Sequence, residues 1–195
     1  MNSLVQPFDQ VPGNDVVDLS ACRDTFRERF VERVFATEEQ AQLAEAPDRE
    51  KLAWLFWASK EAAFKVLSRL DRNLPFRWKS FVTRIEAPHR PLPSLLTGHL
   101  KHPAGVVSLE MELEADYVHV RAGLNAVPAG AVNFCPANQD ESTAVRTLAL
   151  AAFASRYGRT GQMDQKDGLP VIVSSGLCIP VSLSHHGRFL AVAFF

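Results

Sequence analysis

Cysteine is scarce in this 195-residue chain, with Cys22, Cys135 and Cys178 the only three. An odd number with no close spacing excludes a disulfide framework or a cysteine zinc cluster as the staple of the fold. Charge of neither sign is in excess, with 21 lysines and arginines against 22 acids and a formal charge of -1. That balance argues against a general nucleic-acid binder, whose phosphate contacts need a net basic surface, so any polyanion site must be local. No apolar run reaches the ~20 residues of a membrane span, and no cationic start precedes an apolar stretch as in a secretory signal. Exact internal repeats and low-complexity tracts are missing as well. What is present, 47% hydrophobic and 22% charged residues, is enough for a packed core. The expectation is a soluble cytoplasmic protein with reduced thiols and neither nucleic-acid nor membrane partners.

The chain opens on a polar stretch, residues 1–12, followed by Gly13-Asn-Asp-Val-Val-Asp-Leu19, which reads as a short strand entered from a glycine turn. Phe26, Phe30, Val31 and Val34 recur at mixed three- and four-residue spacing and predict a helix over 24–35. Thr37 with Gln40 reads as a capping box that opens a short helix. Asp48 caps a long helix, in which Leu52, Leu55, Phe56, Ala63, Val66, Leu67 and Leu70 keep helical spacing. A strand is expected over 79–86, and loop across the proline- and glycine-bearing stretch 88–105. Alternation over 106–113 and 117–124, about Glu114-Ala-Asp116, predicts a hairpin. Pro128, Gly130 and Pro136 make 128–140 a linker. A helix over 141–157 comes next, ended by Gly158, then a turn at Asp167-Gly168, a strand over 170–174 and two last strands broken at Gly187. Interleaved helices and antiparallel strands indicate an α+β fold.

Four groups of residues can carry chemistry. Asp15, on the strand after Gly13, suits a hard cation, because magnesium takes one or two carboxylates and completes its shell with waters and phosphates. Equally, Asp15 and Asp18 can be turn aspartates that accept backbone hydrogen bonds. Trp57-Ala-Ser-Lys-Glu-Ala-Ala-Phe-Lys65 places Trp57, Glu61 and Lys65 on one helix face, with Lys60 about a quarter-turn away. A carboxylate beside two lysines can hold a metal while the ammonium groups take phosphate oxygens, although the same spacing also makes an ordinary surface pair. Ser182 and Ser184 share a strand face, and His185 falls at the strand end before Gly187. Hydroxyls and an imidazole there suit a phosphate contact or an exposed hairpin tip, but not a serine-hydrolase triad, since no Gly-x-Ser-x-Gly elbow exists. Arg146 and Thr147, early in the helix over 141–157, can bind an anion or simply face solvent.

Together these pieces resemble the 4'-phosphopantetheinyl transferase superfamily. Gly13-Asn-Asp15 resembles the family's Gly-x-Asp strand, and Arg33-Val-Phe-Ala-Thr-Glu-Glu39 is similar to its Arg-x-Phe-(Ser/Thr)-x-x-Glu segment. Residues 57–65 match its Trp-x-x-Lys-Glu-(Ala/Ser)-x-x-Lys helix at every fixed position. Leu74-Pro-Phe-Arg-Trp-Lys-Ser-Phe81 resembles the segment after that helix in the surfactin-synthetase-activating type. The likeness covers residues 13–85 well and the hairpin loosely. Arg146-Thr-Leu, Gly168-Leu-Pro170 and Ser184-His-His-Gly-Arg188 resemble pieces that form the first half of that type, so this chain is similar to it with the halves in swapped order. The short holo-acyl-carrier-protein synthase type also ends in a Ser-x-Ser-His strand.

The resemblance implies a monomeric pseudo-dimer, each lobe an antiparallel sheet packed against a long helix. The lobes would cover residues 1–127, with the metal strand and the Trp-x-x-Lys-Glu-Ala helix, and 128–195, with the Arg-Thr helix and the Ser-His hairpin. It implies transfer of phosphopantetheine from coenzyme A to a serine of an acyl or peptidyl carrier protein, releasing 3',5'-ADP. Asp15 and Glu61 would hold Mg2+, with Glu61, Lys65 and Lys60 catalytic and Arg146, Thr147, Ser184, His185 and Lys166 binding coenzyme A. Arg27, Arg29 and Arg33 would receive the acidic carrier protein, and Arg23 is a candidate for an arginine the short type carries after its aspartate. Two positions depart from the pattern: Val17 stands where the surfactin-activating type has a second acid, and Leu169 replaces a lysine, with Lys166 nearby. The competing reading is a non-catalytic module that binds coenzyme A or the carrier protein on the same fold.

Overall fold

A computed structural model describes residues 10–22, 27–86 and 94–195. Residues 1–9 of the polar start, Arg23 and Phe26 lie outside the described residues. Strand β1 (Gly13–Asp18) leads through a 3-10 turn to α1 (Glu28–Val34), α2 (Thr37–Glu45) and the long α3 (Arg49–Leu70). Strands β2 (Val82–Ile85), β3 (Leu95–His102), β4 (Gly105–Leu113) and β5 (Tyr117–Gly123) complete a five-stranded antiparallel sheet in the order β1-β5-β4-β3-β2. A second sheet, ordered β6-β10-β9-β8-β7, is built from β6 (Ala129–Phe134), β7 (Gln162–Lys166), β8 (Leu169–Ser174), β9 (Leu177–His186) and β10 (Phe189–Phe194), with α4 (Glu141–Tyr157) between β6 and β7. The α+β class holds, with one long helix on each of two sheets.

Both long helices begin and end where the sequence says they should. Asp48 accepts from Lys51 N–H at 3.0 Å at the start of α3, and Asp140 accepts from Thr143 N–H at 2.9 Å at the start of α4. Gly158 ends α4 in the left-handed conformation at φ 65°. Leu52, Leu55, Phe56, Ala63, Val66 and Leu67 are buried, and so are Trp54, Ala58 and Ala62, so α3 is wrapped on several sides. Ala144, Val145, Ala149 and Phe153 bury the corresponding stripe of α4. No described helix is long and apolar enough to cross a membrane.

Several expectations need correction. The stretch 88–105 is not all loop, because β3 occupies Leu95–His102, with Leu96 and Leu100 buried. Its prolines fall outside this strand, with Pro103 in the turn after it, so the amides of 95–102 are free to join a ladder. The linker 128–140 contains β6, an edge strand on β10 that fits between Pro128 and Pro136. Strand β7 has no counterpart among the expected elements, because Gln162-Met-Asp-Gln-Lys166 is a mostly exposed, polar edge strand without an apolar alternation. The strand expected over 79–86 shortens to Val82–Ile85, since Trp78–Ser80 forms a 3-10 turn. Helix α2 starts at Thr37 as expected, but the carboxylate that closes its first turn is Glu39, which accepts from Ala36 N–H at 2.9 Å, while Gln40 donates to the carbonyl of Phe35.

The two sheets meet along β1. One edge of β1 pairs with β5 through main-chain ladder bonds. Its other edge faces β9, which presents side chains instead of backbone. Ser182 Oγ accepts from Asn14 N–H at 3.0 Å, Ser184 Oγ from Val16 N–H at 3.2 Å, and His186 Nδ1 from Asp18 N–H at 3.0 Å. Alternate residues of one strand thus satisfy alternate amides of another, which relieves β1 of a bare edge. Val16, Phe189 and Ala191 form a small core at this junction. Arg69 of α3 adds two bonds across it, donating to the carbonyls of Pro12 at 3.0 Å and Val181 at 2.8 Å.

Candidate active site

Asp15 lies at the middle of that junction. Its Oδ1 accepts from Lys65 Nζ at 3.1 Å and from Ser184 Oγ at 2.8 Å, so α3 and β9 converge on one carboxylate oxygen. Lys65 also donates to the carbonyl of Asn14 at 2.8 Å. The Asp15 side chain is 14% exposed and that of Lys65 30%, so the pair opens on solvent from one side. The helical spacing of α3 puts Glu61 one turn before Lys65 on the same face. Burial, then the charge of Asp15, push the Glu61 carboxyl up to about 7, while Lys65 pulls it the other way. Two carboxylates that feel each other's charge in a half-buried place fit a hard divalent cation, which takes few protein carboxylates and keeps room for water and phosphate oxygens. Val17, at the position for another acid, is buried in the core of the first lobe. Among the described residues no three aspartates, glutamates, histidines or cysteines gather into a metal-binding group.

Lys60 is not part of this cluster, which corrects its expected role. Its side chain is 0% exposed, as is that of its partner Glu39, 2.6 Å away. It also donates to the carbonyls of Trp78 and Phe81. Burial lowers its basicity and the Glu39 charge opposes that shift. Glu39 in turn accepts from Thr83 N–H at 2.9 Å and Ala36 N–H at 2.9 Å. The pair ties α2, α3 and β2 together and has no donor left for a phosphate.

The residues expected to bind the nucleotide separate into distinct places. Ser184 is buried against Asp15 and Val16. His185, next along β9, faces the other way, and its Nδ1 lies 2.8 Å from a carboxylate oxygen of Glu141 at the start of α4. Arg146 bonds back to Ser142 on its own helix and lines an open hollow of about 400 Å³ with Met163, Asp164, Gln165 and Pro170. Thr147 donates to the carbonyl of Thr143. Lys166 lies near Leu169, as expected, and apart from Arg146. Strand alternation turns it to the opposite face of the β7–β8 hairpin, into a cleft of about 200 Å³ with Arg69, Arg72 and Leu169.

Sequence reasoning missed the ion pair that locks the junction. Arg188 grips the buried Asp18 with Nε and Nη2 at 2.8 and 2.9 Å and adds its own N–H at 2.9 Å. This interaction drives the Asp18 carboxyl well below the usual carboxylate range. Gly187 turns between β9 and β10 at φ +55°, and a Cβ there would lie 2.6 Å from Asp18 Oδ2. The signal in the sequence was only a glycine-arginine pair after the hairpin strand; its partner stands 170 positions away.

A family model, described as the 4'-phosphopantetheinyl transferase superfamily, matches residues 12–120, more than half of the chain. The matched stretch holds Asp15, Glu61 and Lys65 and stops before the second sheet. No curated protein matches the chain.

Proposed function

Since the chain belongs to the 4'-phosphopantetheinyl transferase superfamily, we propose that it moves phosphopantetheine from coenzyme A to a serine of an acyl or peptidyl carrier protein. The observation that carries this reading is the convergence of Lys65 and Ser184 on one oxygen of Asp15, with Glu61 one turn away. Residues 1–127 and 128–195 then act as the two halves of a single-chain pseudo-dimer, with the site between them.

Asp15 and Glu61 would hold Mg2+, which when bound supplies neutralising charge to the phosphates. Lys65, on its flexible stem, takes a pyrophosphate oxygen. Glu61 receives the proton of the carrier's serine as the serine oxygen bonds to the β-phosphorus. The bond from that phosphorus to the bridging oxygen breaks, and 3',5'-ADP leaves with the bridging oxygen. His185, Arg146 and Thr147, all on the second lobe, would meet the nucleotide end, with Lys166 on the other face of the β7–β8 hairpin. Ser184 acts by fixing Asp15. Arg29 and Arg33 of α1, with Arg27 just before it, would meet the acidic carrier, although Glu28 and Glu32 stand among them.

The test is mass spectrometry of a carrier protein incubated with this protein, coenzyme A and magnesium. One added phosphopantetheine group on the serine is the expected result. Coenzyme A binding without any mass increase across acyl and peptidyl carriers would leave the non-catalytic module instead.

A further inference from the structure

The carboxylate assigned to the metal already has a cation beside it. Lys65 Nζ is 3.1 Å from Asp15 Oδ1, anchored by the Asn14 carbonyl at 2.8 Å, and Ser184 Oγ occupies the same oxygen at 2.8 Å. A carboxylate oxygen offers about two lone-pair directions, so Oδ1 is saturated. Val17 offers no further acid on this strand, and no cluster of three ligating side chains exists among the described residues. The protein's own donor set for a hard cation is therefore short, and part of it is engaged. An entering dication would meet the ammonium of Lys65 at close range, and like charges in a half-buried place repel strongly. Lys65 leaves easily only if another anion receives it. Its side chain is 30% exposed and carries four rotatable carbons, so it can swing outward to such an anion.

We propose that Lys65 is the resident cation of this site, so that a divalent ion binds the free protein weakly and binds tightly only together with a pyrophosphate-bearing ligand that draws the ammonium off Asp15. The inference rests on the assignment of Asp15 and Glu61 to the metal. It makes ion and pyrophosphate mutually dependent, and linkage requires each to raise the affinity of the other by the same factor. The bound cation then belongs to the loaded complex and not to the resting protein.

Manganese is a suitable probe, because electron paramagnetic resonance counts the free ion directly. Mn2+ is titrated into the wild-type chain alone, into the chain with coenzyme A and no carrier protein, and into Lys65→Met alone, with Mn2+ and coenzyme A without protein as the control. Coenzyme A should tighten Mn2+ binding to the wild type by about tenfold or more. Lys65→Met should bind Mn2+ more tightly than the wild type without any ligand, and should lose most of the tightening by coenzyme A. Circular dichroism checks that the variant is folded, and Lys65→Gln, which can still donate to Asn14, gives a second neutral side chain. Wild type that binds Mn2+ as tightly alone as with coenzyme A overturns the proposal. So does a finding that both neutral variants bind the ion alone no better than wild type. The transferase reading fails on a different result, the absence of any mass increase on a carrier, which these titrations do not measure.

Discussion

Ser184 donates its hydroxyl to Asp15 Oδ1 at 2.8 Å across 169 positions of sequence, and the same oxygen atom of Ser184 accepts the Val16 N–H at 3.2 Å. One side chain therefore fixes both a carboxylate and the strand that carries it. Ser184→Ala leaves a buried amide without its acceptor, a loss of about 1–3 kcal/mol. It also frees Asp15 to rotate about its side-chain bonds. The expected outcome is a drop of about tenfold or more in kcat for carrier modification, with a smaller change in the KM for the carrier. Ser184→Thr keeps the hydroxyl and should recover part of the rate. Unchanged kcat in the alanine variant, with the stability loss present, would limit Ser184 to holding the lobes together.

The clasp between Arg188 and Asp18 makes the junction sensitive to acid. Arg188 holds the Asp18 carboxyl far below its ordinary value, so this carboxylate binds fewer protons folded than unfolded at acid pH. Its stabilising contribution is complete above the unfolded aspartate value, about 4, and is lost as the pH falls below it. Thermal unfolding followed from pH 7 to pH 3 should show a midpoint that declines in the wild type and declines less in Asp18→Asn. Parallel declines in the two proteins would show that other carboxylates govern the acid response.

How far the sequence disclosed all this depended on the range of the forces involved. Helices α3 and α4 were legible because caps and stops are local, and Asp48 and Gly158 act within a few residues of themselves. The final hairpin was legible because Gly187 interrupts two apolar strands. Strand β6 was hidden, since its pairing energy comes from β10 more than 50 residues later and nothing in Ala129–Phe134 announces it. Of the candidate site, Asp15, Glu61 and Lys65 are readable from spacing and resemblance. Their common neighbour Ser184 is readable as a phosphate contact, but not as the partner of Asp15. Lys60 misleads because helical spacing gives a direction and not a destination: a quarter-turn from Glu61 is already the core.

That burial makes Lys60 a test of structure against catalysis. Lys60→Met leaves Glu39 charged and unpaired in a fully buried place, at a cost of about 3–5 kcal/mol. Chemical denaturation should show this loss, and Lys60→Met combined with Glu39→Gln should recover part of it, because glutamine removes the buried charge and its single carbonyl oxygen can still accept from one of the Thr83 and Ala36 amides, which bond to different oxygens of Glu39. A variant that keeps wild-type stability yet loses transfer activity would return Lys60 to the catalytic machinery.

Glu61 should show the opposite balance. Its carboxyl is pushed up to about 7, chiefly by burial and then by Asp15. An acid whose folded value is raised binds more protons folded than unfolded, so it destabilises the protein increasingly as the pH rises from about 4.3 to the folded value. Glu61→Gln removes that charge with little change of shape. At pH 8 with a chelator present, the variant should be more stable than wild type by about 1–2 kcal/mol, discounted for the water that reaches a half-buried group. At pH 4, where the wild-type carboxyl is already neutral, the two should unfold together. The same variant should lose transfer activity, because a neutral amide neither takes the serine proton nor holds the cation as a carboxylate does. A residue kept at the expense of stability is one used for chemistry. A glutamine variant that was less stable at pH 8, or that modified the carrier at the wild-type rate, would remove Glu61 from the site.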